Sequence, residues 1–455
     1  MKAIESRLKL IDEAHSFKRE YEERLKPLAE LNPRKPFTYI SIGGGELGDL
    51  VLTAAKRVFG GVNGGVKTVA IDRYEGFPAQ DVADECEVVD MLNGDLLEKC
   101  IKKYVENPED NPHAIFLEIE RADTLRIFKL GVEEGYNVIS TPYAPLIGMD
   151  RLSTKLLFDK VAVPRVEWAY ADSEDELKRV ARDMGLPLII KPIMTSSGHG
   201  TTIARTWADV ERAYDYAVKH ARGKGDEVIV ERYLSDLKVR GVEVTQLVLR
   251  HFDEGGNIVT TLLPPIEHYR PEATYHESWL PYTISEDVKR KCQDYARRIA
   301  DYLGGVGIYA VEQFVLDGEV FNSELANRPH DTGMVTRWAL RRDEGELHLL
   351  ASMGLPVIES DVELISDDKY YVAHVILAPE RDFKSAAVVK WDAFSIYSYI
   401  RRRGLPGDVW YFGKPTAYPA RRMGLAMACH EDLATARKIA EQIAHFAEKC
   451  IAYAF

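Results

Sequence analysis

The chain has little cysteine: five in 455 residues, Cys86, Cys100, Cys292, Cys429 and Cys450, odd in number and with no CxxC pair. That argues against a disulfide scaffold or a zinc–thiolate site and leads us to expect a reducing, cytoplasmic setting. No apolar run approaches the ~20 residues needed to cross a bilayer, so no membrane partner is expected. The opening MKAIESRLKLIDEAH is charged throughout and lacks the apolar core of a secretion signal. Basic residues are not in excess either: 59 Lys and Arg face 72 Asp and Glu, a net charge of −13. Nucleic acids and anionic membranes both call for a basic face, which argues against those partners. There is no internal repeat and no low-complexity segment. The apolar fraction, 46%, with 29% charged residues, is enough for real cores. At roughly 100–200 residues per domain, two to four domains are expected.

Residues 1–33 read as a helical extension, with Leu8, Leu10, Ile11 and Ala14 at helical spacing and Pro33 ending the pattern. From 34 to 149, strand-like FTYISI (37–42), KTVAID (67–72), HAIFLE (113–118) and NVIS (137–140) alternate with helical patterns. Such alternation implies a parallel sheet with right-handed crossovers. Residues 150–363 mix helices with long β runs, 242–252 and 258–263, around the turn DEGGN (253–257). Antiparallel sheets with packed helices fit best there. A last unit, 364–455, holds strand-like 371–377 and 409–412, a helical stretch near 391–403 and a final helix after His430.

Five motifs carry chemistry. GGGELG (43–48) matches GxGxxG at Gly43, Gly45 and Gly48, between a strand and a helix. With Asp72 closing the next strand it fits a nicotinamide dinucleotide, another phosphorylated or carboxylate ligand, or tight packing. KPIMTSSGHG (191–200) ends a strand in Lys191 and continues as a Ser- and Gly-rich loop. A lysine and backbone donors so placed would neutralise a phosphate; a solvated turn is the plain alternative. RPHDTGM (328–334) offers Arg328 to clamp a phosphate and Asp331 to receive an amine, or else a helix start capped by Asp331. Lys414, Arg421 and Arg422 form a basic cluster in an acidic protein, either an anion site or a solvated surface like Arg401–Arg403.

Glu312 and Glu324 form the fifth. They lie in strand-like runs joined through Asp317-Gly318, a hairpin signal. A two-residue turn pairs 316 with 319 and leaves Glu324 facing away from Glu312. A three-residue loop over 317–319 pairs 316 with 320 and sets the two carboxylates opposite each other. Opposed like charges need neutralising, and a hard cation with phosphates would do so. The expectation is therefore the three-residue loop with Mg²⁺ at the pair; two unrelated solvated glutamates are the alternative.

Together these pieces resemble the ATP-grasp superfamily of purine biosynthesis, and within it the formate-dependent phosphoribosylglycinamide formyltransferases. The likeness runs from about 38 to 445 on GGGELG (43–48), AIDRYEGFPA (70–79), LEIE (117–120), KPIMTSSGHG (191–200), YHESWLP (275–281), NSELANRPHDTGMVT (322–336), and FGK with RRMG (412–414, 421–424). It implies α/β and α+β units: an ATP-grasp fold with an N-terminal Rossmann-like (pre-ATP-grasp) domain and a small C-terminal domain. It implies ATP contacts from Arg151, Lys191, Ser196, Ser197, Gly198, His199, Gly200, Thr201, Glu231 and Glu243, and Mg²⁺ on Glu312 and Glu324. It implies a phosphorylated glycinamide held by Glu46, Leu47, Glu118, Asp331, Lys414, Arg421 and Arg422, the last three around the phosphate. Formate is the other substrate, formyl phosphate the intermediate, Glu118 or Asp331 the acceptor of the amine proton, and a homodimer the assembly. His199 stands where the family carries a lysine, and Asn327 where it carries proline. Residues 234–241 are longer than the usual connection. The rival readings are the related carboxyaminoimidazole ribonucleotide synthase, which uses bicarbonate, and a paralogue acting on another phosphorylated amine; EIE (118–120), HESW (276–279) and HDTGM (330–334) favour the formyltransferase over the synthase.

Overall fold

The structure, a computed structural model, describes residues 2–30, 36–119, 121–194, 200–221, 226–271, 274–381 and 383–454. Its first helix, Lys2–Ala29, buries Ile11, Ala14, Tyr21, Leu25 and Leu28, which share one face at a period near 3.6. The extension is therefore docked. Arg7 bridges Asp150 at 3.1 Å and Glu227 at 2.8 Å, the Tyr21 hydroxyl donates to the Val138 carbonyl at 2.5 Å, and Arg250 reaches back to Glu22 at 2.7 Å.

The expected parallel sheet is present, in the spatial order 85–88, 66–72, 37–42, 113–117, 138–139. Its edge strand Glu85–Val88 escaped the sequence reading because Glu-Cys-Glu-Val is partly exposed on both faces and has no apolar run. A second, antiparallel sheet runs 168–171, 228–232, 188–192, 202–204, with helices Glu174–Met184 and Trp207–His220 beside it.

The third sheet is nine-stranded. It runs 319–326, 307–316, 241–252, 266–269, 277–280, 370–377, 422–430, 407–411, with 258–262 paired to 241–252. Strand Glu277–Leu280 pairs with Tyr370–Leu377, so hydrogen bonding continues across the expected division at residue 363. The last unit adds its own small sheet of 416–417, 386–391 and 451–454, and helices Ala393–Arg402 and Leu433–Lys449. One apolar core ties the three regions together. Leu47 and Leu50 from the first pack with Leu247, Leu249 and Leu280 of the second and with Tyr371 and Leu425 of the last.

Candidate functional site

The hairpin of Gly307–Leu316 and Glu319–Ala326 turns at Asp317 and Gly318, both with positive φ (53° and 80°). Leu316 pairs with Glu319, so the turn has two residues, not the expected three. Glu312 nevertheless lies opposite Glu324, because a bulge shifts the register between Glu312 and Gln313. The inserted residue is Ser323. Its carbonyl accepts from Lys155 Nζ at 2.8 Å. Next to it, Asn322 is pinned by its main-chain and side-chain N–H groups to the Pro164 carbonyl, at 2.8 and 2.7 Å. The two carboxylates thus meet through a bulge held from outside the hairpin.

Each carboxylate has its own cations. Glu324 accepts from Arg151 at 3.1 Å, and Lys191 stands 3.6 Å away. Although the side chain opens onto the cleft, its partial desolvation would push the carboxyl up, but Arg151 and Lys191 hold it below the ordinary range. Oε1 of Glu312 faces Arg270 at 2.9 Å and His330 Nε2 at 3.0 Å, and these outweigh burial in the same direction. Both glutamates are therefore ionised. Glu231 lies between Lys191, at 2.7 Å, and Lys155, which it also binds; despite burial its carboxyl is strongly lowered. Arg151 and Lys155 are four apart on helix Arg151–Lys160, so they share a face. That spacing was the available signal for Lys155, which the sequence reading missed.

A cleft of about 440 Å³ opens here. Its lining includes Glu46, Leu47, Glu118, Arg151, Lys155, Arg270, Glu312, Glu324, Asp331, Lys414, Arg421 and Arg422. Glu243 stands outside that lining, held by Lys238 and by His268 at 3.6 Å, though it shares a sheet face with Thr245, the partner of Glu312. Gly200 and Thr201 precede strand Thr202–Ala204, which pairs with the strand carrying Lys191. Ser196, Ser197, Gly198 and His199 lie outside the described residues.

The glycine motif makes room for a carboxylate at the cleft, which Gly45 and Asp72 also line. A Cβ on Gly43, where φ is +101°, would lie 2.4 Å from Glu118 Oε2; one on Gly45 would lie 3.0 Å from Oε1. The glycines let the Glu118 carboxylate sit against the loop. Asp72, the ribose acid of a dinucleotide reading, instead accepts from the Gly44 and Arg73 amides at 2.9 and 2.7 Å. Glu46 and Leu47 then open helix Glu46–Phe59.

Across the cleft, Glu46 binds Lys414 at 2.8 Å, and Arg422 approaches Glu46 at 3.5 Å while binding Asp331. Burial works against the Glu46 carboxylate, yet Lys414 and Arg422 hold it at about 2. Burial wins on Lys414, bringing it down to about 8 against the attraction of Glu46, with Arg421 and Arg422 adding repulsion. Asp331 is lowered strongly by Arg422 and His330 in spite of burial. Its Oδ1 is buried, accepts no hydrogen bond from the described residues, and lies 3.0 Å from His330 Nδ1. Asp331 does not cap the short 3₁₀ turn Asp331–Val335; His330 does, so the aspartate is free to face the cleft. Arg421 is held by Thr416 and lies at the cleft's edge.

The site thus has two charge clusters, a lysine–glutamate network behind paired carboxylates and a basic group braced by Glu46 and Asp331. The family model for the ATP-grasp domain matches residues 156–342, and that described as PurT, C-terminal, matches 406–446. A formate-dependent phosphoribosylglycinamide formyltransferase from Sulfurisphaera tokodaii is 38% identical over 407 residues, 89% of this chain and 94% of that protein. N5-carboxyaminoimidazole ribonucleotide synthetase from Thermotoga maritima superposes with a TM-score of 0.70 at 25% identity, over 92% of this chain and 99% of the other. Glycinamide-RNase-transformylase T from Mycobacterium tuberculosis gives 0.67 at 22% identity, over 90% and 99%, a likeness of fold.

Proposed function

The chain belongs to the formate-dependent phosphoribosylglycinamide formyltransferase family, and from that premise we propose that it formylates the amine of 5′-phosphoribosylglycinamide at the expense of ATP, in purine biosynthesis. A formate oxygen bonds to the γ-phosphorus as the bond to ADP breaks, giving formyl phosphate. The amine nitrogen then bonds to the formyl carbon, phosphate leaves, and nitrogen gives up a proton. The observation that carries this reading is the pair of opposed glutamates with a separate basic cluster in the same cleft.

Arg151, Lys191 and Lys155 face the triphosphate in this reading, with Glu231 setting the position of both lysines. Gly200, Thr201 and Glu243 are carried as further ATP contacts by the family resemblance. Glu312 and Glu324 suit Mg²⁺, which takes one or two carboxylates and completes its shell with phosphates and water. Bound there, Mg²⁺ would neutralise charge on the phosphate oxygens. The chain's own cations do the rest of the screening, because formate and ATP are both anions.

Lys414, Arg421 and Arg422 take the 5′-phosphate, and Glu46 and Leu47 line its approach. Asp331 orients the amine through Oδ1, which accepts no hydrogen bond from the described residues. Its lowered pKa makes it a weak base, so Glu118, against the glycine loop, is our candidate for the amine proton. The homodimer and cytoplasmic setting belong to the same reading, and the mass in solution checks the first.

The direct test is phosphate release from ATP and the glycinamide ribonucleotide, with formate or bicarbonate supplied. Formate should stimulate release; stimulation by bicarbonate alone would replace this reading with carboxylation.

Lys414 adds a pH signature. Its low pKa means that it loses its proton as pH rises through about 8, and the phosphate then loses a cation. Wild-type kcat/KM for the amine substrate should fall above that point relative to Lys414→Arg, whose guanidinium stays charged. Parallel profiles for the two enzymes would remove Lys414 from the phosphate site.

A further inference from the structure

Arg270 follows strand Ile266–Tyr269 and lines the cleft. One of its donors, Nη2, is committed to Glu312 Oε1 at 2.9 Å, the oxygen that His330 also approaches. Its Nε is buried and has no hydrogen-bond partner among the described residues. A buried guanidinium N–H without an acceptor is costly, and is explained if a ligand supplies one.

The cations divide between the two carboxylates. Arg151 and Lys191 stand with Glu324, joined through Lys191 to Glu231 of the smaller antiparallel sheet. Arg270 and His330 stand with Glu312, and His330 leads directly to Asp331. The carboxylates that act most strongly on Arg270 are Glu312 and then Asp331. Arg270 therefore belongs to the region between the proposed metal pair and the proposed amine site. A small carboxylate that must attack the γ-phosphate, and then present its carbon to the amine, has to occupy that region. A planar fork of N–H donors matches a carboxylate with two parallel hydrogen bonds.

We infer that Arg270 binds formate, holding its carboxylate through Nε and a free guanidinium N–H, with His330 at the edge of the subsite. This rests on the formyl-transfer reading. ADP release should be measured in the full-length wild type, Arg270→Lys and Arg270→Ala while formate, ATP and the amine substrate are varied in turn. Lysine keeps a cation beside Glu312 but deletes the fork. The expected result is a formate KM raised about 30-fold or more in Arg270→Lys, the scale of a lost charge-assisted hydrogen bond, with the KM for ATP within about threefold. Added guanidinium ion should partly restore the formate KM of Arg270→Ala. A formate KM unchanged in both variants would overturn the subsite, and so would equal losses toward ATP and formate in Arg270→Lys, which would make Arg270 a support for Glu312. Failure of the wild type to respond to formate would instead overturn the reaction itself.

Discussion

Replacing Glu324 by alanine is expected to lower formate-dependent ADP release by about 10³-fold or more, the scale on which one electrostatic element of a phosphoryl-transfer site acts. The substitution removes half of the opposed pair and leaves Glu312 alone to hold a divalent ion. The fold should survive. Lys191 keeps Glu231 at 2.7 Å, and Arg151 keeps the Pro192 carbonyl at 3.1 Å. The Glu324 side chain is also 37% exposed to the cleft, so its loss opens no buried cavity. A coupled ADP assay, beside a melting curve matching wild type, checks the prediction. Turnover within about tenfold of wild type would show that the pair does not carry the metal.

Arg422→Ala should act on the other cluster. Arg422 binds Asp331 and approaches Glu46, so truncation removes the proposed phosphate ligand and leaves Asp331 without its principal counter-charge. Breaking one partner of a buried charge pair costs about 2–5 kcal/mol. The KM for the phosphorylated amine should rise about 10²-fold or more. ATP, proposed to bind at the other cluster, should bind within about threefold of wild type. Glu46 keeps Lys414 at 2.8 Å, which preserves the helix start beside it. Initial rates with each substrate varied decide the matter, and equal losses for ATP and the amine would count against a phosphate site at Arg422.

The two predictions separate because the clusters do. One is built from the helix Arg151–Lys160 and the strands carrying Lys191, Glu231 and Glu324. The other joins the helix start after Gly45, the turn at Asp331 and the last region of the chain. Glu312, His330 and Arg270 lie at their junction, where a formyl group would pass from phosphate to nitrogen.

Local pattern was enough to determine the alternating strands and helices to residue 149, the Asp317-Gly318 turn, and Glu312, Glu324, Asp331, Lys414, Arg421 and Arg422 of the cleft lining, because period, turn chemistry and residue type are properties of neighbours in the chain; Glu46, Glu118 and Arg151 have no such local mark and follow only from the family resemblance. The edge strand Glu85–Val88 had no such pattern, and Arg270 carries no local signature. Whether Glu312 met Glu324 was decided by the tertiary structure. The tight turn by itself would set them apart; the bulge at Ser323 brings them together, and its hydrogen bonds go to Lys155 and Pro164, more than 150 residues earlier. The glycine motif was decided in the same way: Gly43 and Gly45 fit a dinucleotide on paper, and only the packed Glu118 carboxylate shows what their missing side chains make room for.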